Sequence, residues 1–124
     1  MAECISAIEP FPCISILKPW GGYTDIFRSR EVVFKKIVVS PGEEISYQQH
    51  HKRSEFWYVA EGEGLFRWNN VNNWKVRPGF TIEIKKNDPH QVINTGESDL
   101  VIFEMQFGEC SETDIVRLED KYDR

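Results

Sequence analysis

Residues 42–62 read G-E-E-I-S-Y-Q-Q-H-H-K-R-S-E-F-W-Y-V-A-E-G and set three metal-capable side chains inside a strand-like frame. Ile45 and Tyr47 precede the polar centre, and Phe56, Trp57, Tyr58 and Val59 follow it, mostly residue types enriched in strands. Successive side chains of a strand point to opposite faces, so Gln48 and His50 project to one side. A reversal between His51 and Ser54 makes the stretch a hairpin and swings Glu55 toward the same point. His51 faces away from His50, as a surface or supporting group. His90, in the run H-Q-V-I-N, is a fourth candidate. Alone, a strand histidine is more often a hydrogen-bonded core residue, and it is the company of the other three that makes His90 a ligand candidate.

On either side the chain divides into short strands and turns. Lys18-Pro19-Trp20-Gly21-Gly22 is a turn, and residues 23–28 and 31–39 are strands, the second rich in β-branched side chains. Ser40-Pro41-Gly42-Glu43 turns into the central stretch. Beyond it come strands over 65–68 and 74–77 around an Asn-rich hairpin tip, then 80–84, 90–94 and 100–107. About nine strands with hardly any helix predict an all-β, antiparallel jelly-roll barrel or sandwich. Residues 1–17 read as an irregular arm, 18–110 as the barrel and 111–124 as a tail packed on it. Ser111-Glu112-Thr113-Asp114 resembles a helix start, so 115–121 reads as two helical turns or an extended tail.

Composition excludes some classes of partner. With 124 residues and 40% hydrophobic content, the chain suffices for one domain with a core. A net charge of −5 argues against nucleic acid or an anionic membrane as partner. No apolar run is long enough to span a bilayer. Glu3 and Glu9 stand where a signal peptide would carry basic residues, so an intracellular, cytoplasmic location is expected. Cys4, Cys13 and Cys110 form no C-x-x-C pair and read as incidental reduced thiols.

Two segments opened by Pro-Gly carry these ligands at fixed spacing. The first is Gly42, five residues, Gln48, one, His50, four, Glu55, six, Gly62. The second is Gly79, five, Lys85, one, Asn87, two, His90, three, Asn94. This resembles the two motifs of the cupin superfamily, with Gln48 in place of the usual first His, and Lys85 and Asn87 in place of a Pro and a Gly. The Gln, the run Lys18-Pro19-Trp20-Gly21, the run from Gln48 to Trp57 and the tail from Asp114 to Tyr122 are similar to the type II mannose-6-phosphate isomerase domain. The family commonly has His where Lys52 and Phe56 stand, which alters the rim of the cavity. That domain usually follows a mannose-1-phosphate guanylyltransferase half, for which these residues leave no room, so guanylyl transfer is not expected.

The resemblance implies a divalent metal on Gln48, His50, Glu55 and His90, zinc first, with manganese, iron, cobalt or nickel as alternatives. It implies a sugar phosphate as substrate, mannose 6-phosphate and fructose 6-phosphate being interconverted, with Arg53 catalytic. Lys52 and Lys85 are the candidates for substrate binding, beside the reading of each as a solvated charge. Two alternatives stand: another metal cupin, such as a different sugar isomerase or a dioxygenase, or a non-catalytic sugar-binding cupin. Cupin barrels commonly pair, and Phe56, Tyr58 and Ala60, on the face opposite Glu55, suit a homodimer contact. The expected light-scattering mass is that of two chains, and a one-chain mass removes that expectation.

Overall fold

The computed structural model describes residues 13–69 and 72–124. Eleven strands occupy them: β1 (Ile14–Lys18), β2 (Gly21–Arg28), β3 (Val32–Val39), β4 (Tyr47–Gln49), β5 (Arg53–Glu61), β6 (Gly64–Trp68), β7 (Asn72–Val76), β8 (Thr81–Ile84), β9 (His90–Asn94), β10 (Leu100–Gly108) and β11 (Val116–Glu119). They form two antiparallel sheets, ordered β1-β2-β3-β10-β5-β8 and β11-β4-β9-β6-β7. The fold is the cupin jelly roll. There is no helix among the described residues, and so none long and apolar enough to cross a membrane.

The core lies between the sheets, built from inward positions of alternating strands. Trp57 of β5 and Phe66 of β6 meet edge to face at 5.6 Å, and Ile84, Val92, Leu100 and Ile102 close around them. Burying such aromatics contributes more than any other side-chain type in a core of this size. Outside, on the six-stranded sheet, Phe27, Phe34, Met105 and Phe56 lie in one cross-strand row. Phe56 and Tyr58 are exposed there.

Two expectations are corrected, and of the two readings of the tail the extended one holds. The central stretch is not a hairpin: β4 belongs to the five-stranded sheet and β5 to the six-stranded one, so the bend at His51–Lys52 carries the chain across the barrel. Residues 14–17 of the presumed arm, with Lys18, form β1, paired with β2 from Ile14↔Asp25 to Lys18↔Gly21. Ile14, Ile16 and Leu17 are exposed, which is why no alternation marked the strand; the ladder to β2 holds it. Residues 1–12 of the arm lie outside the described residues, as do Asn70 and Val71 of the hairpin tip. Finally, the tail is extended, because β11 adds to the edge of β4 (Val116↔Gln49, Arg117↔Gln48) and a helix could not use those edge groups.

Backbone turns aim β9 into the barrel. Asn87 adopts φ of +67°, the left-handed region that Asn tolerates better than most residues, so it replaces a glycine there without breaking the loop. Its N–H donates to the carbonyl of His50 at 2.8 Å, tying the loop before His90 to the end of β4. At the far end of β9, Asn94 Nδ2 donates to the carbonyls of Val39 and Ser98, each at 2.8 Å, and its Oδ1 accepts from Gly96 N–H at 2.9 Å. Asn94→Leu strands these groups. The expected result is a loss of about 1–3 kcal/mol of unfolding free energy, read by urea denaturation.

Candidate metal centre

Three strands and the bend after β4 bring the centre together. β4 and β9 pair at Gln48↔His90, which places both on one sheet, while Glu55 reaches in from β5 on the other. His50 follows β4 directly. His50, Glu55 and His90 are 3%, 1% and 0% exposed, and one donor atom of each lies within 4.8 Å of the other two. Convergence therefore occurs across the barrel interior.

Each histidine is oriented from behind. His50 Nδ1 lies 2.7 Å from the carbonyl of Asp114, and His90 Nδ1 lies 2.8 Å from that of Asp88. A carbonyl only accepts, so both Nδ1 atoms carry hydrogen and both Nε2 atoms face the centre. Burial pushes His50 down to about 4, against the pull of Glu55, so it stays neutral. Burial also lowers His90, but Glu55 and the Asp88 carbonyl raise it overall. Burial alone would raise Glu55, yet His90, His50 and Arg53 hold its carboxyl well below the usual range.

The donor set fits a cation. Glu55 Oε1 and His90 Nε2 are buried, 3.3 Å apart, and neither makes a hydrogen bond. Burying two such atoms unsatisfied is costly, and a metal ion satisfies both at once. Two imidazole nitrogens and one carboxylate suit zinc and its neighbours in the first transition row. Gln48 stands at the rim, with Nε2 3.4 Å from His50 Nε2 and Oε1 accepting from Ser46 Oγ at 2.6 Å. Turning the amide over would point its oxygen at the centre, and the Ser46 hydroxyl would then accept instead of donate.

Arg53 closes the other side. It is buried, its Nε donates to Glu55 Oε2 at 2.9 Å and its Nη1 to the carbonyl of Ser111 at 3.0 Å, and Nη2 lies 3.3 Å from His50 Nε2. Arg53 thus occupies one oxygen of Glu55 and leaves the other for a metal. Gln48 and Arg53 also line a cavity of about 100 Å³, walled in addition by Lys18, Lys35, Glu104 and Arg117. The centre and the cavity adjoin.

The family described as mannose-6-phosphate isomerase C-terminal matches residues 13–120. The chain belongs to this family. ManC of Salmonella typhimurium, a mannose-1-phosphate guanylyltransferase, is 34% identical over 110 residues, which are 88% of this chain and 23% of ManC. The chain therefore spans less than a quarter of that relative. Among solved structures, the capsular polysaccharide assembling protein CapF of Staphylococcus aureus matches with a TM-score of 0.77 at 19% identity, covering 89% of this chain and 35% of CapF. A double-stranded β-helix protein of Klebsiella pneumoniae matches with a TM-score of 0.70 at 16% identity, over 94% of both chains. These two likenesses show the fold.

In this member of the mannose-6-phosphate isomerase C-terminal family, the remaining expected residues lie apart from the cavity. The Lys52 side chain is 65% exposed and faces Glu109 at 3.7 Å, in an outer hollow with Arg30, His51 and Lys86. Lys85 is exposed in the turn before Asn87. His51 is exposed and meets Asn87 Oδ1 at 2.6 Å. Sequence reasoning missed Asp114, whose carboxylate accepts the N–H groups of His51 and Lys52 at 3.0 and 2.9 Å and so shapes the bend between His50 and Arg53. It also missed Glu104, which is buried on β10 and pushed up to about 7 by burial and by the charge of Glu55. The signal for Glu104 was present: one acid inside a largely apolar strand.

Elemental analysis checks the donor set. His50→Ala together with His90→Ala should remove bound divalent metal, and stoichiometric metal retained in the folded double variant would contradict it.

Proposed function

We propose that this domain is a metal-dependent aldose–ketose isomerase acting on a hexose 6-phosphate, interconverting mannose 6-phosphate and fructose 6-phosphate. The observation that carries the reading is the adjacency of two features. One is a buried donor set with atoms left for a cation. The other is a cavity whose wall combines that donor set's neighbours with cationic side chains. Membership of a family described by this isomerase, and relatives named for mannose 1-phosphate chemistry, support the same substrate class.

A bound divalent ion would supply Lewis-acid polarisation of the sugar's carbonyl oxygen. His50, Glu55 and His90 would hold it, with Gln48 as a fourth donor once its amide is turned. Arg53 stands beside these atoms and offers a fixed positive charge where negative charge develops on oxygen. Its bonds to Glu55 and Ser111 hold it there before substrate arrives, so little reorganisation is needed in the reaction. The phosphate requires cations that no carboxylate has already neutralised. Lys35 is bound to Glu112 at 2.5 Å, and Arg124 to Asp120 at 2.9 Å. Lys18 and Arg117 line the same cavity and form no ion pair among the described residues, so they suit the phosphate better than Lys52 or Lys85.

The test is a coupled assay that follows fructose 6-phosphate from mannose 6-phosphate, after chelation and return of single divalent metals. Expected is metal-restored turnover, reduced by about 10²–10³-fold in Arg53→Ala with metal content unchanged. No turnover with any metal, in folded and loaded protein, would assign the scaffold to another substrate or to binding alone.

A further inference from the structure

An aldose–ketose isomerase moves a proton between two carbons, and none of the groups assigned so far is free to carry it. His50 and His90 turn Nδ1 to backbone carbonyls and Nε2 to the centre. Glu55 faces Arg53 and both histidines, which keeps it weakly basic. Glu112 in the cavity wall is bound by Lys35 at 2.5 Å and Arg28 at 3.2 Å, and is held low despite partial burial. One acid in the wall remains.

That acid is Glu104. On β10, Leu100, Ile102, Glu104 and Gln106 face the interior, and Phe103, Met105 and Phe107 face out. A strand that hides a carboxylate and an amide while exposing Phe107 runs against ordinary burial preferences. Such an inversion has a cost, and a function for the interior acid accounts for it. Glu104 is 4% exposed and forms no ion pair among the described residues. Trp57 Nε1 donates to its Oε2 at 2.7 Å, and Gln106 Nε2 to its Oε1 at 2.6 Å. Those two donors fix the plane of the carboxylate and leave lone pairs for the cavity that it lines. The register Glu104↔Trp57 and Gln106↔Glu55 sets Glu104 on the diagonal from Glu55, with the two backbone positions about 7–8 Å apart on neighbouring strands.

We propose that Glu104 is the general base of this site, the carboxylate that carries a proton between C2 and C1 of the open-chain sugar phosphate. The proposal rests on the isomerase reading above. Glu104 takes the proton from C2, and the electrons of that C–H bond form the C1=C2 double bond. The carbonyl electron pair moves onto O1, giving an enediolate, and the proton on O2 passes to O1. The electron pair left on O2 then forms the C2 carbonyl, while the C1=C2 electrons take back at C1 the proton that Glu104 carried. No oxidant or reductant enters, and the carboxylate ends as it began. Burial, then Glu55 on β5, raise the proton affinity of Glu104; Lys35 on β3, Arg53 on β5 and the Gln106 amide lower it. Burial, the first of these, acts whether or not a cation sits on Glu55, and it favours a carboxylate basic enough to take a proton from carbon.

The experiment uses the full chain loaded with the metal that restores wild-type turnover. In Glu104→Gln, kcat should fall by about 10²–10⁴-fold while KM and bound metal stay near wild type. In Trp57→Phe, which removes one donor from the carboxylate and keeps a ring in the core, the acid limb of the kcat/KM profile should move to higher pH. Bound metal unchanged in Trp57→Phe assigns that movement to Glu104 and not to the His90 ring that the indole also meets. Turnover in Glu104→Gln within tenfold of wild type, or an acid limb unmoved in Trp57→Phe, overturns the proposal and leaves the isomerase reading standing. A wild-type protein inert toward mannose 6-phosphate overturns both.

Discussion

A carboxylate at the centre of a β-barrel, hidden from water, sets the terms for everything near it. Glu55 is 1% exposed, and a lone ionised group there would be prohibitive. It is tolerated because Arg53 donates to Oε2, which the His50 imidazole also approaches, and the His90 imidazole lies against Oε1. Those partners must in turn be held, and backbone carbonyls of Asp114 and Asp88 hold the two histidines. The supporting carbonyls come from the C-terminal segment and from the loop before β9. A single buried charge thus recruits pieces from distant parts of the chain, and the tail's addition to β4 becomes part of the site.

The two-sheet architecture explains how such a cluster is compact without being local. Gln48 and His90 are cross-strand partners on one sheet, and Glu55 comes from the other. Aromatic packing fixes the gap between them: the Trp57 ring meets His90 edge-on at 5.6 Å, and meets Phe66 from the opposite sheet in the same manner. Trp57 is therefore both a spacer for the metal-capable residues and, through its indole N–H, a partner of Glu104. Core packing and site chemistry share one side chain.

Much of this was legible in residue spacing. Period-two alternation and Pro-Gly turns gave the barrel, and the offsets within residues 42–62 and 79–94 located the three residues that converge. What failed to show has physical reasons. β1 is a strand by virtue of its ladder to β2, since its apolar side chains are exposed and carry no pattern. The bend at His51–Lys52 resembles a hairpin turn in sequence; only pairing partners far away in the chain, β9 and β10, reveal that its arms separate. Asn87 shows how a left-handed position survives the loss of glycine. Asp114 acts through its carbonyl and through backbone N–H groups of another segment, contacts that residue type alone does not announce.

The inverted half of β10 also bears on how the chain finds its register. A slip of one residue against β3 and β5 would turn Phe103, Met105 and Phe107 inward and release Glu104 and Gln106 to water. For that segment, greasy-inside patterning favours the wrong alignment. The correct one is selected by Leu100 and Ile102 at the other end of the strand, and by the indole and amide that receive Glu104. Polar groups here act as a folding key, so a misaligned sheet would be apolar enough to persist but would have lost its buried polar cluster.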